Sequence, residues 1–487
     1  MKARTHHDII LWIIGFIFFL LLLLKFTIPL LRFGSVPLGY DAGIYRYLFV
    51  HYENVFPFVP QLPDWAKEHP PGLFFLSTLL LQTGIPVEWL TGWLWNVFVV
   101  GLGCVLSWII GKRWGAGVGV ATLLCFSLSQ AYYDGFVVMY WKTCVALLLM
   151  ALTFHFLERR SWWAPVTIAA VLMTHHQTGL LLILVLGTWF VRWFRRELVV
   201  REVLRGIRIF KKKGYLRFEY VSLGLAVIGL ALFYYIPVIQ EAIFRHIPKL
   251  LEGWDAPGGS FPEPSFYIRL TGILLLFGIA GFVRSLKEER GSLWQIAVLW
   301  SAVFVVFHLM FYRRFYLQLD FFLLPFAGLF LWWAWHRFSN IHIRVLLVAL
   351  VLLQGVVSFR AAWQRIPNVD AATFHVIRSL PSGLPHDATI IALEDQTAIL
   401  LRGWLPFHHV GGPGLFELSW SEEEWENFLL GSPAERRPYF ERLKDPTFFF
   451  ISPYFRSYYG ERAETFLRDP CLERTEHPYL MYSICFP

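Results

Sequence analysis

The chain has 487 residues, 56% of them hydrophobic and 16% charged, with a formal net charge of +8. Its mean hydropathy is +0.51, and the apolar residues gather in blocks close to the ~20 residues needed to cross ~30 Å of hydrocarbon. That excludes a soluble globular protein, and the long blocks are unlike the short alternating segments of a β-barrel.

The expected fold is mainly α: a polytopic helical membrane protein of about eleven spans with a small extracytoplasmic α/β domain behind it. In chain order the spans are 9–31, 89–111, 115–132, 137–157, 162–175, 178–194, 219–238, 267–283, 293–311, 320–336 and 343–359. The first has a basic start and no small-residue cleavage site, so it is a retained helix. Segment 73–84 is apolar but short and is expected as a juxtamembrane helix in a first outer loop, 32–88. Spans five and six form a tight hairpin. Many aromatics, such as Trp162-Trp163 and Trp332-Trp333, mark segment ends as interface anchors.

Basic residues orient the bundle. With the N-terminus inside, 21 Lys and Arg fall inside, ten of them in the run 192–217, against 9 outside. That run reads as a cytoplasmic anchor beside anionic lipid, and no nucleic-acid partner is expected. The membrane domain then covers 1–360 and leaves 361–487 outside. This tail has a helical run, Glu422 to Leu430, and β-like runs at Thr389 to Leu393 and Phe448 to Ile451. Cys104, Cys125 and Cys144 lie in apolar blocks and read as inert. Cys471 and Cys485 are placed to form a disulfide if the tail is extracytoplasmic.

On this topology Asp41, His69 and Asp134 all meet the outer interface. A carboxylate at the edge of hydrocarbon is costly, so acid–base or metal-assisted chemistry on a lipid-linked substrate is one reading. Helix capping is the other for both aspartates. Adjacent His175 and His176, in a turn between short spans, could ligate a metal or hold a phosphate; neighbours in a helix point different ways, so one of the two is expected in the site. Arg313 and Arg314 begin a late span from outside, and their planar forks suit a phosphate, although bases are also common at membrane edges. Asp320, slightly deeper, reads as a partner for one of them. Asp41, Asp134 and Glu68 together could hold a divalent cation.

The ordered set Asp41, His69-Pro70-Pro71-Gly72, Gly111-Lys112-Arg113, Asp134, Thr174 to Gly179 and Arg314-Phe315-Tyr316 through Pro325 resembles the GT-C superfamily of membrane glycosyltransferases. The likeness covers roughly residues 1–340 and points to the branch of protein O-mannosyltransferases and lipid A aminoarabinose transferases. Two departures stand out. Ala42 replaces a glutamate common in that branch, and Gly253-Trp254-Asp255-Ala256 does not match the oligosaccharyltransferase signature, which argues against transfer of a whole glycan to Asn.

The resemblance implies a polyprenyl-phosphate-sugar donor and a lipid, glycan or protein acceptor at the outer face of the cytoplasmic membrane. Asp41 becomes the base that takes the acceptor proton, with Asp134 assisting. His69, His175, His176, Arg313, Arg314 and Tyr45 become substrate contacts. A transporter or flippase of lipid-linked saccharide, or a non-catalytic scaffold, are the alternatives; no repeat of the kind transporters carry is evident.

Overall fold

The computed structural model describes residues 2–39, 41–67, 69–199, 261–289, 291–413, 420–444 and 446–485. The expected span 219–238, most of the basic run, Glu68 and 253–256 lie outside these residues.

The chain opens with α1 (Lys2–Phe33) and continues through the first loop with α2 (Asp41–Val55), α3 (Asp64–Lys67), α4 (Gly72–Leu81) and α5 (Val87–Leu90). The bundle follows as α6 (Trp93–Trp114), α7 (Ala116–Leu128), α8 (Gln130–Val138), α9 (Trp141–Glu158), α10 (Trp163–Thr174) and α11 (His176–Val199). It is completed by α12 (Pro264–Glu288), α13 (Leu293–Val306), α14 (Tyr312–Arg337) and α15 (Ile341–Gln364). Among the described residues, six helices are long and apolar enough to cross a membrane: Asp8–Phe33, Val87–Trp114, Trp141–Glu158, Pro264–Glu288, Tyr312–Arg337 and Ile341–Gln364. About eleven crossings were expected; the other described spans coincide with shorter apolar helices of α7, α10, α11 and α13. The chain is a multi-pass membrane protein. Its outward faces are apolar, as at Trp12, Leu31, Val345 and Val356, the pattern of helices whose solvent is lipid.

Two boundaries differ from expectation. The span expected over 293–311 stops at Val306, because His308 and Phe311 turn the chain in left-handed conformations. The next helix therefore begins at Tyr312, and Arg313 and Arg314 sit in its first turn.

Inside the bundle Lys25 of α1 is fully buried. Its ammonium donates to the Ser127 carbonyl (3.1 Å), the Ser129 carbonyl (2.7 Å) and Ser358 Oγ (2.6 Å), joining α1, the end of α7 and α15. The Ser129 hydroxyl donates to Asp320 on α14 at 2.5 Å. Asp320 thus pairs inside the bundle and not with Arg313 or Arg314.

The tail holds α16 (Ala371–Ser379), β1 (Thr389–Ala392), α17 (Asp395–Trp404), β2 (His409–Gly411), α18 (Glu422–Leu430), α19 (Pro433–Phe440), β3 (Thr447–Phe450), α20 (Pro453–Tyr459), α21 (Glu461–Leu467), β4 (Leu472–Arg474) and β5 (Leu480–Ser483). The sheet order is β2-β1-β3-β5-β4, with β1 parallel to both β2 and β3 and the last two strands antiparallel. A second core of Ile391, Phe428, Phe440, Phe449 and Phe466 fills one face. Cys471 and Cys485 form the expected disulfide, closing the chain end.

The tail is locked to the first loop where α17 crosses α2. A Cβ on Gly43 would lie 1.9 Å from the Ile399 carbonyl oxygen, and one on Gly403 would lie 2.4 Å from Gly43 Cα. Only two glycines allow this backbone approach. Around it Arg46 donates to the Gly403 carbonyl at 2.6 Å, and Arg402 donates to Tyr47 Oη at 3.0 Å. Gly43→Val is expected to lower stability by about 3 kcal/mol, at the upper end of overpacking costs, and to expose the segment around Arg365 to protease. Thermal unfolding and limited proteolysis in detergent check this; a wild-type pattern would mean that the crossing is not needed.

Candidate active site

The first loop reaches the bundle through Gly39, whose Cβ position would lie 2.6 Å from the Val137 carbonyl oxygen at the end of α8. That approach sets the chain down beside the end of α8, and α2 then starts at Asp41. Pro71 leads into α4, and its ring fixes the turn that carries His69.

Four elements bring charge to Asp41 and His69. Arg314, from the first turn of α14, and Lys142, from the first turn of α9, are the cations that act on the half-buried Asp41 carboxylate. Lys142 Nζ lies 2.6 Å from His69 Nδ1. An ammonium can only donate, so His69 Nδ1 accepts and its ring proton sits on Nε2. Burial above all, and then the neighbouring Lys142, His176, Arg314 and His175, drive the His69 pKa well below the usual imidazole value. Burial is also the main influence on Asp41 and raises its carboxyl to about 6, opposed by Arg314 and Lys142. Arg314 is steadied over the rings of Tyr140 (5.6 Å) and Phe311 (5.5 Å).

His175 is buried, with Nδ1 2.9 Å from Thr178 Oγ1 and Nε2 3.4 Å from Thr143 Oγ1. Gln318 donates to the same Thr178 hydroxyl at 3.3 Å. These bonds hold the turn between α10 and α11, and they bring both histidines within electrostatic reach of His69, where one was expected. Tyr45 is buried, and its hydroxyl oxygen accepts the Lys142 main-chain N–H at 3.4 Å.

Asp134 belongs to a second cluster. Its carboxylate accepts from Gln130 (3.0 Å), Tyr267 (3.0 Å) and Arg365 (2.5 Å). It therefore ties α8 to α12 and to the chain leaving α15. Arg313 stands apart too, in an ion pair with Glu263, which also accepts from Tyr312 at 3.2 Å.

Among the described residues no three of His, Cys, Asp and Glu gather to hold a metal ion. The chemistry around the two aspartates agrees: Asp41 faces Arg314 and Lys142, and Asp134 is engaged by Arg365. Asp41 and Asp134 thus belong to separate clusters, each with its own cations, and Glu68, the third residue of the expected cation site, lies outside the described residues.

The sequence reading passed over Lys142, counting it as one of the outer bases. One signal was there: a lysine in the first turn of a helix opposes the helix dipole, and such a position calls for a nearby acceptor or anion. Arg365 was invisible because it lies beyond the last span, where positive charge is ordinary.

No family model and no curated protein matches the sequence. The fold does have solved counterparts. The archaeal oligosaccharyltransferase AglB from Archaeoglobus fulgidus, in complex with an inhibitory peptide and a dolichol-phosphate, superposes with a TM-score of 0.56 at 10% identity, over 91% of this chain and 69% of that one. The Archaeoglobus fulgidus oligosaccharyltransferase in complex with Zn and sulfate gives 0.55 at 11%, over 97% and 73%. ArnT from Cupriavidus metallidurans, bound to undecaprenyl phosphate, gives 0.57 at 14%, over 98% and 97%. The chain has the GT-C fold that its motifs resemble.

Two outcomes follow from these clusters. Asp134→Ala strands Arg365 and Tyr267 and is expected to cost about 2–3 kcal/mol, the value of a lost charged hydrogen bond in a buried place. Denaturant or thermal unfolding in detergent measures it, and an unchanged midpoint contradicts the structural role. The unfolding midpoint in detergent is expected to be unchanged by excess EDTA; a midpoint that falls in chelator and recovers on adding a divalent ion would mean that the site takes a metal after all.

Proposed function

We propose that the chain is an inverting glycosyltransferase that moves a sugar from a polyprenyl-phosphate donor to a hydroxyl of a lipid, glycan or protein acceptor. The observation that carries this reading is a single carboxylate, Asp41, set against Arg314 and Lys142, with Lys142 bonded to His69. A base and a cluster of phosphate-seeking donors side by side match the two halves of the reaction. The acceptor O–H gives its proton to Asp41 as its oxygen attacks the anomeric carbon. The bond from that carbon to phosphate oxygen breaks with its electron pair, leaving polyprenyl phosphate, whose charge Arg314, Lys142 and His69 meet. Attack opposite the leaving group inverts the centre. Apolar helix faces beneath the site suit the donor's tail. The counterparts bound to dolichol-phosphate and undecaprenyl phosphate support this donor class for the fold. Asp134 serves as a positioning residue: it holds α8 and Arg365 at the rim. His175 and Tyr45 position Lys142 and its neighbours, while His176 and Arg313 are rim contacts for substrate.

A carboxyl raised to about 6 is a stronger base than an ordinary aspartate and is still ionised at neutral pH. It must be deprotonated to act, so kcat/KM is expected to fall as pH drops through about 6. Asp41→Asn keeps shape and hydrogen bonding but removes the base, so turnover should fall by about 10²-fold or more with donor binding near wild type. An Asn variant that turns over normally, or a flat acid limb, defeats the assignment.

The site is read as facing outward, with the N-terminus and 192–217 inside and 32–88 and 361–487 outside the cytoplasmic membrane. The basic asymmetry and the Cys471–Cys485 disulfide support this side, since disulfides persist in oxidising compartments. Residues 1–360 then form the catalytic membrane domain, and 361–487 the domain that meets the acceptor. An impermeant thiol reagent on intact cells should label Lys67→Cys and spare Lys212→Cys; the reverse pattern inverts the topology.

A further inference from the structure

The sheet of the tail has a topological switch point that the chemistry at Asp41 does not use. Strand β1 has β2 on one side and β3 on the other, both parallel to it, so the connections from β1 and β2 lead to opposite sides. At such a switch point the loops beyond the carboxyl ends of the strands part, and open α/β sheets take ligands there.

Glu394 stands two residues beyond β1 and is only 6% exposed. Its Oε1 accepts from the hydroxyls of Thr397 and Ser452, the latter at the end of β3. Its Oε2 is buried with no hydrogen-bond partner among the described residues. A carboxyl oxygen left so is costly until a donor arrives. Burial raises the Glu394 carboxyl above the ordinary range, the same penalty seen from the proton's side.

Aromatic surface lies beside it. Tyr454 and Tyr458 on α20 are 41% and 67% exposed, with ring centroids 5.6 Å apart and planes within 21°. Tyr459 is within electrostatic reach of Glu394, Asp395, Tyr454 and Tyr458, which links the platform to the carboxyls. Arg456 on the same helix is engaged by Glu464.

We infer that this switch point binds a neutral saccharide unit: the tyrosine faces take the apolar side of a pyranose ring, and Glu394 takes its hydroxyls. A carboxyl can accept from a hydroxyl when ionised and also donate when protonated, so either state serves. Two adjacent carboxyls, Glu394 and Asp395, disfavour sulfated, phosphorylated or uronic units. That the sugar belongs to the acceptor rests on the transferase reading above. Helix α17 runs from this switch point to the Gly43 crossing, about 15 Å at helical rise, so the bound unit would be a distal residue of an acceptor glycan whose reacting hydroxyl reaches Asp41.

The test is calorimetric titration of the full-length protein in detergent with maltose, cellobiose, lactose and mannobiose, and with glucuronic acid. No lipid-linked donor is present, so failure of the transferase reading leaves the result standing. Saturable binding of at least one neutral disaccharide is expected, weakened about tenfold or more by Glu394→Gln and by Tyr458→Ala, with none for glucuronic acid. Tyr458 is on the surface, so its variant keeps the wild-type melting temperature even if Glu394→Gln disturbs folding. No binding by any neutral disaccharide, or binding that Tyr458→Ala leaves intact, overturns the inference. So does a loss of adsorption to anionic phospholipid vesicles in Tyr458→Ala without loss of disaccharide binding, which would make the patch a membrane contact.

Discussion

A lysine in the middle of a membrane helix must have its charge met within the protein, and Lys25 sets much of this architecture by being met so completely. Three oxygens from two other helices converge on its ammonium. Two are carbonyls at the end of α7, the negative end of that helix's dipole, and Asp134 and Asp320 supply counter-charge. Ser129 is the hub: its carbonyl takes Lys25, its hydroxyl reaches Asp320, and its side-chain oxygen caps α8 by accepting the Tyr132 N–H at 3.0 Å. The short helix that carries Asp134 therefore rests on a polar junction inside the bundle, and the chain leaving α15 is pinned to that helix by Arg365. Loop geometry at this end of the bundle is inherited from a lysine one layer below.

Above this base the site is an exercise in unequal charge. One carboxylate, Asp41, faces two fixed cations and an array of histidines. An excess of positive charge in a partly dry place draws in phosphate. The same excess keeps His69 neutral, so it can donate one hydrogen bond to an anion while accepting one from Lys142. His175 plays no free part in this: Thr178 and Thr143 claim both its nitrogens.

How far the sequence could be read followed from contrast. Asp41, His69 and the histidine pair stood out because polar residues are rare in so apolar a chain, and their grouping needed only the assumption that successive spans reverse. The strands at Thr389 and Phe448 and the helix at Glu422 were legible from runs of β-branched and aromatic residues and from a helical run. Lys142 and Arg365 were not legible, because positive charge at a membrane edge has a bland explanation and their partners lie 73 and 231 residues away. Asp320 was read as a partner for Arg313 or Arg314, whereas its carboxylate meets Ser129 across the bundle. Nothing in the local pattern around Gly43 announced that another glycine would need to touch it.

That glycine crossing has a consequence for biosynthesis. Arg46 and Gly403 are separated by 357 residues, so α2 is made long before the helix that covers it. At ~5–20 residues per second of synthesis, the face around Gly43 waits roughly 20 to 70 seconds for its partner. For that interval the helix carrying Asp41 lacks its cover, and the contact forms only once the chain has passed Gly403. A nascent chain that stops before Gly403 leaves this face of α2 uncovered.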